Sequence, residues 1–147
     1  MITQEMSRKH PVNGKELLRG ERAVTLTFRG QTAQVMMPGW YAADDLTGDD
    51  GLHDPADMKI SDRALNSLKA RAAGLLIPAE VKSIRKRLRI TQREAGTIIG
   101  GGPNAFQKYE TGDILVSKAI DTALRLLARD PARLQELRAE DPAAHAG

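Results

Sequence analysis

The segment 91–112 constrains this chain more than any other. Thr91-Gln92-Arg93-Glu94 has the form of a capping box, in which the Thr91 hydroxyl accepts from the Glu94 backbone N–H and the Glu94 carboxylate reaches back to Thr91. A helix therefore starts there, runs through Ala95, Ile98 and Ile99, and stops at Gly100-Gly101-Gly102, where glycine supplies left-handed geometry. Pro103 is read as the first residue of the next helix, 103–110. Two short helices joined by a glycine turn and preceded by a basic helix describe a helix-turn-helix.

The second of these helices is amphipathic in a way that bears on recognition. At about 100° per residue, Asn104, Gln107, Lys108 and Thr111 share one arc, and Ala105, Phe106 and Tyr109 fall on the other. Asn bonds bidentately to adenine N6/N7 and Lys donates to guanine O6/N7, so Asn104, Lys108 and Gln107 are the candidate base readers in a major groove. Six basic residues, Lys82, Arg85, Lys86, Arg87, Arg89 and Arg93, precede the first acid after them, Glu94. Of these, Arg85, Lys86, Arg87 and Arg93, together with Gln92 at the helix start, are the candidate phosphate contacts. The expected partner is double-stranded operator DNA.

The flanking elements follow from period and punctuation. Pro78 opens the basic helix, with Val81, Ile84 and Leu88 as its apolar stripe. Ser117 opens a longer helix with Ile120, Ala123, Leu124 and Leu127 at core spacing, and Pro131 opens a last one carrying Leu134 and Leu137. Leu126 and the final leucines are surplus to such a core and are candidates for a homodimer seam, which a palindromic operator requires. Upstream, Ser61 reads as the N-cap of a helix ending at Gly74, and the tail after Asp141 reads as frayed.

The N-terminal part changes register. Residues 22–28 alternate apolar and polar, Arg29-Gly30 supplies a turn, and 31–37 resume an extended pattern, which is a β-hairpin signal. Pro38-Gly39 reads as a break and 40–43 as a third short strand. Segment 44–62 carries seven Asp against Lys59, and 44–57 within it reads as an exposed loop, so the net charge of +3 hides an acidic insert in a basic chain. Its acids lack the spacing of a calcium loop.

Composition then excludes several classes. With no cysteine in 147 residues there is no disulfide, thiolate metal site or cysteine nucleophile. No run is long and apolar enough for a membrane helix, and no signal peptide is visible, so a cytoplasmic protein without membrane contact is expected. Three histidines, His10, His53 and His145, and no serine-histidine-carboxylate layout argue against an enzyme. A metal-dependent hydrolase built on Asp44, Asp45 and His53 is the rival from that class. No cofactor is expected.

The run Thr91-Gln92-Arg93-Glu94-Ala95, followed by Gly100 to Gly112 with its Asn-Ala-Phe-Gln-Lys-Tyr-Glu core, resembles the DNA-binding half of MqsA-type (YgiT-type) antitoxins of type II toxin–antitoxin systems. Thr27-Phe28-Arg29-Gly30 and Pro38-Gly39-Trp40-Tyr41 extend the resemblance to about residues 8–138. It implies a toxin-contacting N-terminal domain, a helix-turn-helix that dimerises and represses its own operon, and a cognate mRNA-cleaving ribonuclease toxin of RelE-like fold as partner. The family's base-reading Asn falls on Asn104 and its Arg on Lys108, which lacks the planar fork. Its two pairs of zinc-binding cysteines fall on His10/Asn13 and Ala42/Asp45; an oxygen–nitrogen site rebuilt from His10, Asp45 and His53 is the alternative, and a domain that folds without zinc, or is loose until the toxin binds it, is the expectation. The fold class is then α+β: a β-rich domain (1–60), a linker helix (61–77), a five-helix Cro/C1-like helix-turn-helix domain (78–140) and a tail (141–147). The rival reading is a stand-alone repressor whose N-terminal half senses a ligand or partner.

Overall fold

The computed structural model describes residues 6–140, so the tail after Asp141 lies outside the described residues. It is α+β: a three-stranded antiparallel sheet precedes six α-helices. The chain divides into two compact units, the first ending at Leu68 and the second starting at Lys69.

In the first unit the strands are β1 (Ser7–Lys9), β2 (Glu16–Phe28) and β3 (Gln31–Tyr41), in the order β1-β2-β3. The hairpin lies where the alternation places it, with Val24 opposite Val35 and Leu26 opposite Ala33. Arg29 and Gly30 both have positive φ, +46° and +80°, as a two-residue type I′ turn requires.

Two expectations are corrected here. Trp40 and Tyr41 belong to β3, and the third strand is β1, paired to β2 through Ser7↔Leu18 and Lys9↔Glu16. Nor does Pro38-Gly39 break the strand. The N–H and C=O of Trp40 point to the outer edge, where they bond Leu52 at 2.8 and 3.0 Å. Pro38, two residues earlier, faces the same way, so its missing N–H is not one that β2 needs. Its carbonyl accepts from His53 Nδ1 at 3.0 Å, and a Cβ on Gly39 would lie 2.7 Å from that same nitrogen. The pair admits the 52–53 segment.

The helix α1 (Pro55–Ala73) begins six residues before Ser61. Asp57, in its first turn, accepts the Asp54 backbone N–H at 2.8 Å, which starts the helix where sequence shows only an acidic loop. Ser61 lies inside it and donates its hydroxyl to the Met58 carbonyl. Asp57 is buried and receives a two-pronged bond from Arg19, 2.9 Å on each oxygen. The Arg19 hydrogen bond, acting against burial, draws its pKa from 3.8 to about 2. A depressed carboxyl pKa contributes stability that is complete above the unfolded value and disappears as pH falls through the folded one. Trp40, the only tryptophan, donates to Asp54 and lies under the Arg8 guanidinium, so its fluorescence reports on this unit. The Trp40 thermal transition is expected to fall as pH drops from 3.8 toward about 2, and to fall less steeply in Asp57→Asn.

The second unit contains α2 (Pro78–Arg87), α3 (Gln92–Ile98), α4 (Ala105–Thr111), α5 (Lys118–Arg129), a 3₁₀ turn (Pro131–Arg133) and α6 (Leu134–Glu140). Val81, Ile84, Leu88, Phe106, Ile120, Leu124, Leu127 and Leu134 form one core, each apolar side chain contributing about 1.5–3 kcal/mol by leaving water. Ser117 caps α5 by accepting the Ile120 N–H. Asp121, almost wholly buried, accepts the Leu76 N–H at 2.8 Å and Arg125 Nε at 2.9 Å, anchoring the segment that leads into α2.

Candidate nucleic-acid interface

The turn between α3 and α4 is built from the glycines outward. Gly100, Gly101 and Gly102 have φ of +141°, +97° and +93°. The Gly102 N–H returns to the Gly96 carbonyl at 3.1 Å, bringing the two backbones into contact. At the other end of α3 both halves of the capping box form, Glu94 N–H to Thr91 Oγ1 at 3.1 Å and Thr91 N–H to Glu94 Oε1 at 3.0 Å. The Thr91 backbone hydrogen bond, against some burial, lowers the Glu94 pKa.

Helix α4 starts at Ala105 rather than Pro103, because the chain is still turning after the third glycine and Asn104 becomes the N-cap. Ala105, Phe106 and Tyr109 are buried, the two rings edge to face at 5.3 Å. Gly112, at φ +88°, ends the helix. Asn104, Gln107 and Lys108 are all exposed, and the Asn104 side chain makes no capping bond that would hold it back on the helix. That leaves an amide and an ammonium on the outer arc of a two-turn helix, the chemistry that meets base edges in a major groove.

The cations divide into two groups. Lys86 and Arg93 are exposed, as is Arg87, whose Nη2 reaches the Ala128 carbonyl at 3.2 Å. Arg85, expected on phosphate, is instead half-buried. It gives Nε and Nη2 to Glu110 at 2.7 and 2.8 Å and Nη1 to the Ile90 carbonyl at 3.0 Å. The Glu110 hydrogen bond raises its pKa. Gln92 also turns inward, its Nε2 donating to Glu110 at 3.2 Å. Glu110 thus ties α2 and α3 to the end of α4, a role sequence reading missed. Its only signal there is an acid beside Tyr109 on the otherwise apolar packed arc of α4.

The other expected groups are spread out. Asp44 pairs with Lys15, Asp45 caps its own loop, and His53 bonds Pro38 and packs on Tyr41. A groove of about 400 Å³ lies between α5 and α6, lined by Ala123, Leu126, Leu127 and Leu137 among others, with Leu126 59% exposed. No described helix is long and apolar enough to cross a membrane.

Comparison with known proteins gives two findings. The family model described as the antitoxin component of a bacterial toxin-antitoxin system, MqsA, matches residues 8–138. Antitoxin MqsA of Escherichia coli (strain K12) is 29% identical over 127 residues, which cover 84% of this chain and 93% of that protein.

Proposed function

As this chain belongs to the MqsA family, the antitoxin component of bacterial toxin-antitoxin systems, we propose that it is an antitoxin that also represses its own operon. In this reading the N-terminal domain (1–60) neutralises a cognate mRNA-cleaving toxin, the 61–77 segment links, and 78–140 dimerises on a palindromic operator. The protein acts by binding in the cytoplasm and catalyses nothing.

The observation that carries the DNA half is the exposed arc Asn104, Gln107 and Lys108 on a helix whose opposite arc is core. These residues read bases. Arg93, Lys86 and Arg87 meet phosphate with the start of α3. Gln92 adds to that contact from its place on Glu110, and Arg85 holds the frame from inside. The leucine-lined groove of α5 and α6 supplies the dimer seam, since two half-sites call for two copies.

Asn104→Ala is expected to weaken binding to the operator by about 1–3 kcal/mol while leaving random DNA nearly unaffected. Arg93→Ala is expected to weaken both alike and to reduce the salt slope by about one. Titrations of operator and scrambled duplexes at several salt concentrations check this; equal losses on both duplexes for Asn104→Ala would remove α4 as the reading helix. For the toxin half, the chain is co-expressed with the product of its neighbouring gene. Co-purification with a small basic ribonuclease is the expected result, and a homodimer indifferent to that neighbour favours the stand-alone repressor.

A further inference from the structure

The family resemblance implies zinc held at positions 10, 13, 42 and 45, and the residues there do not fit it. Tetrahedral zinc needs four donors converging within about 2.0–2.3 Å of one point. His10 turns Nδ1 to its own chain, accepting from the Val12 N–H at 3.1 Å and the Asn13 N–H at 3.4 Å. Asn13 Oδ1 accepts the Lys15 N–H at 2.9 Å. Ala42 has no ligand atom. Asp45 uses one oxygen on the Gly48 N–H at 2.8 Å and the other on the Asp50 N–H at 3.2 Å. The two turns face each other across a hollow of about 320 Å³, and no cluster of three metal-ligating side chains occurs among the described residues.

The same bonds do what a metal would otherwise do. His10 and Asp45 each accept two backbone N–H groups of their own turn and so hold it without a metal. Crosslinking passes to cations already in the chain. Lys15, just after the first turn, pairs with Asp44, at the edge of the second, at 2.8 Å. Arg22 reaches from β2 to the Asp45 carbonyl at 2.6 Å and the Ala42 carbonyl at 3.2 Å, with its guanidinium over the Tyr41 ring. The Lys15–Asp44 pair is exposed and weak alone. Arg22 bonds two carbonyls from a partly buried site and is the stronger tie.

We propose that the end of the N-terminal sheet is closed by a metal-free clasp, made of the His10 turn, the Asp45 loop, the Lys15–Asp44 pair and Arg22. The unit consequently folds without divalent metal. Having no cysteine, it is also closed to the thiol oxidation that would release zinc from a thiolate site.

The test uses the full chain. Metal analysis after purification is expected to give far less than one zinc per chain, and neither a strong chelator nor added Zn²⁺ shifts the Trp40 thermal transition. His10→Ala is expected to speed amide exchange at Val12 and Asn13, and Asp45→Ala at Gly48 and Asp50, by roughly tenfold or more, with amides in the second unit unchanged. Arg22→Met lowers the Trp40 transition temperature. Stoichiometric zinc, or a chelator that lowers the transition in the unaltered chain, overturns the proposal without any variant having to fold. So does unchanged exchange at those amides in folded His10→Ala and Asp45→Ala.

Discussion

Gly96→Ala is expected to unfold the helix-turn-helix unit or to reduce its stability by about 3 kcal/mol or more, the upper end of what overpacking costs. The added Cβ would stand 1.8 Å from the Gly102 carbonyl oxygen and 2.7 Å from its carbon, both backbone atoms with no rotamer to relieve the clash. To move them the chain would have to give up the Gly102 N–H bond to Gly96 and reopen a turn whose three glycines all hold positive φ. The capping box fixes one end of α3 and the buried Phe106 and Tyr109 fix α4, so neither helix can slide away. Gly102→Ala is the control. A Cβ there meets nothing within 4 Å, and the cost is left-handed strain alone, about 1–2 kcal/mol. Urea unfolding followed by circular dichroism compares the two, and equal losses would show that the backbone contact is not what holds the turn.

Glu110→Ala is expected to cost about 3–5 kcal/mol, because it leaves the Arg85 guanidinium half-buried without its counter-charge. The Arg85 and Glu110 side chains are 13% and 4% exposed, so salt screens the pair poorly and the loss persists at high ionic strength. The same change frees Gln92 from the end of α4. Operator and random DNA binding should therefore fall together with stability, a pattern unlike that of Asn104→Ala. Arg85→Lys keeps the charge but loses the fork that meets both Glu110 oxygens, and an intermediate loss is expected. If Arg85→Ala leaves the urea midpoint unchanged and weakens only DNA binding, Arg85 is a phosphate contact and its ion pair to Glu110 is incidental.

The parts of the fold that could be read from sequence are those whose cause lies within four or five residues. Thr91 with Glu94, Ser117 with Ile120, the triple glycine and the Arg29-Gly30 turn each satisfy backbone groups locally, and all are found as read. The misses have distant partners. Strand β1 is three residues with no pattern of their own, made a strand by Leu17 and its neighbours in β2. Pro38-Gly39 is a breaker in isolation and becomes an open edge once residues 52–53 lie beside it. Arg85 looks like one of six surface cations until Glu110, 25 residues on, is folded against it. Asp121 draws no reading from the sequence, and its bond to Leu76 spans 45 positions. Of the candidate interface, the outer arc of α4 was legible because amphipathic spacing is local; which cations turn inward was not.

The long β2–β3 ribbon bears on the order in which the chain becomes ordered. Its strands pair across a two-residue turn, β1 joins through the short 10–15 connection, and the clasp needs nothing beyond Asp50. Contacts this close in sequence form early, hairpins within about 1–10 μs, far faster than a ribosome adds the next residue. The first unit is thus expected to take shape while the helix-turn-helix is still being synthesised. With the metal-free clasp proposed above, the half proposed to hold the toxin is expected to be ready before the half proposed to find the operator.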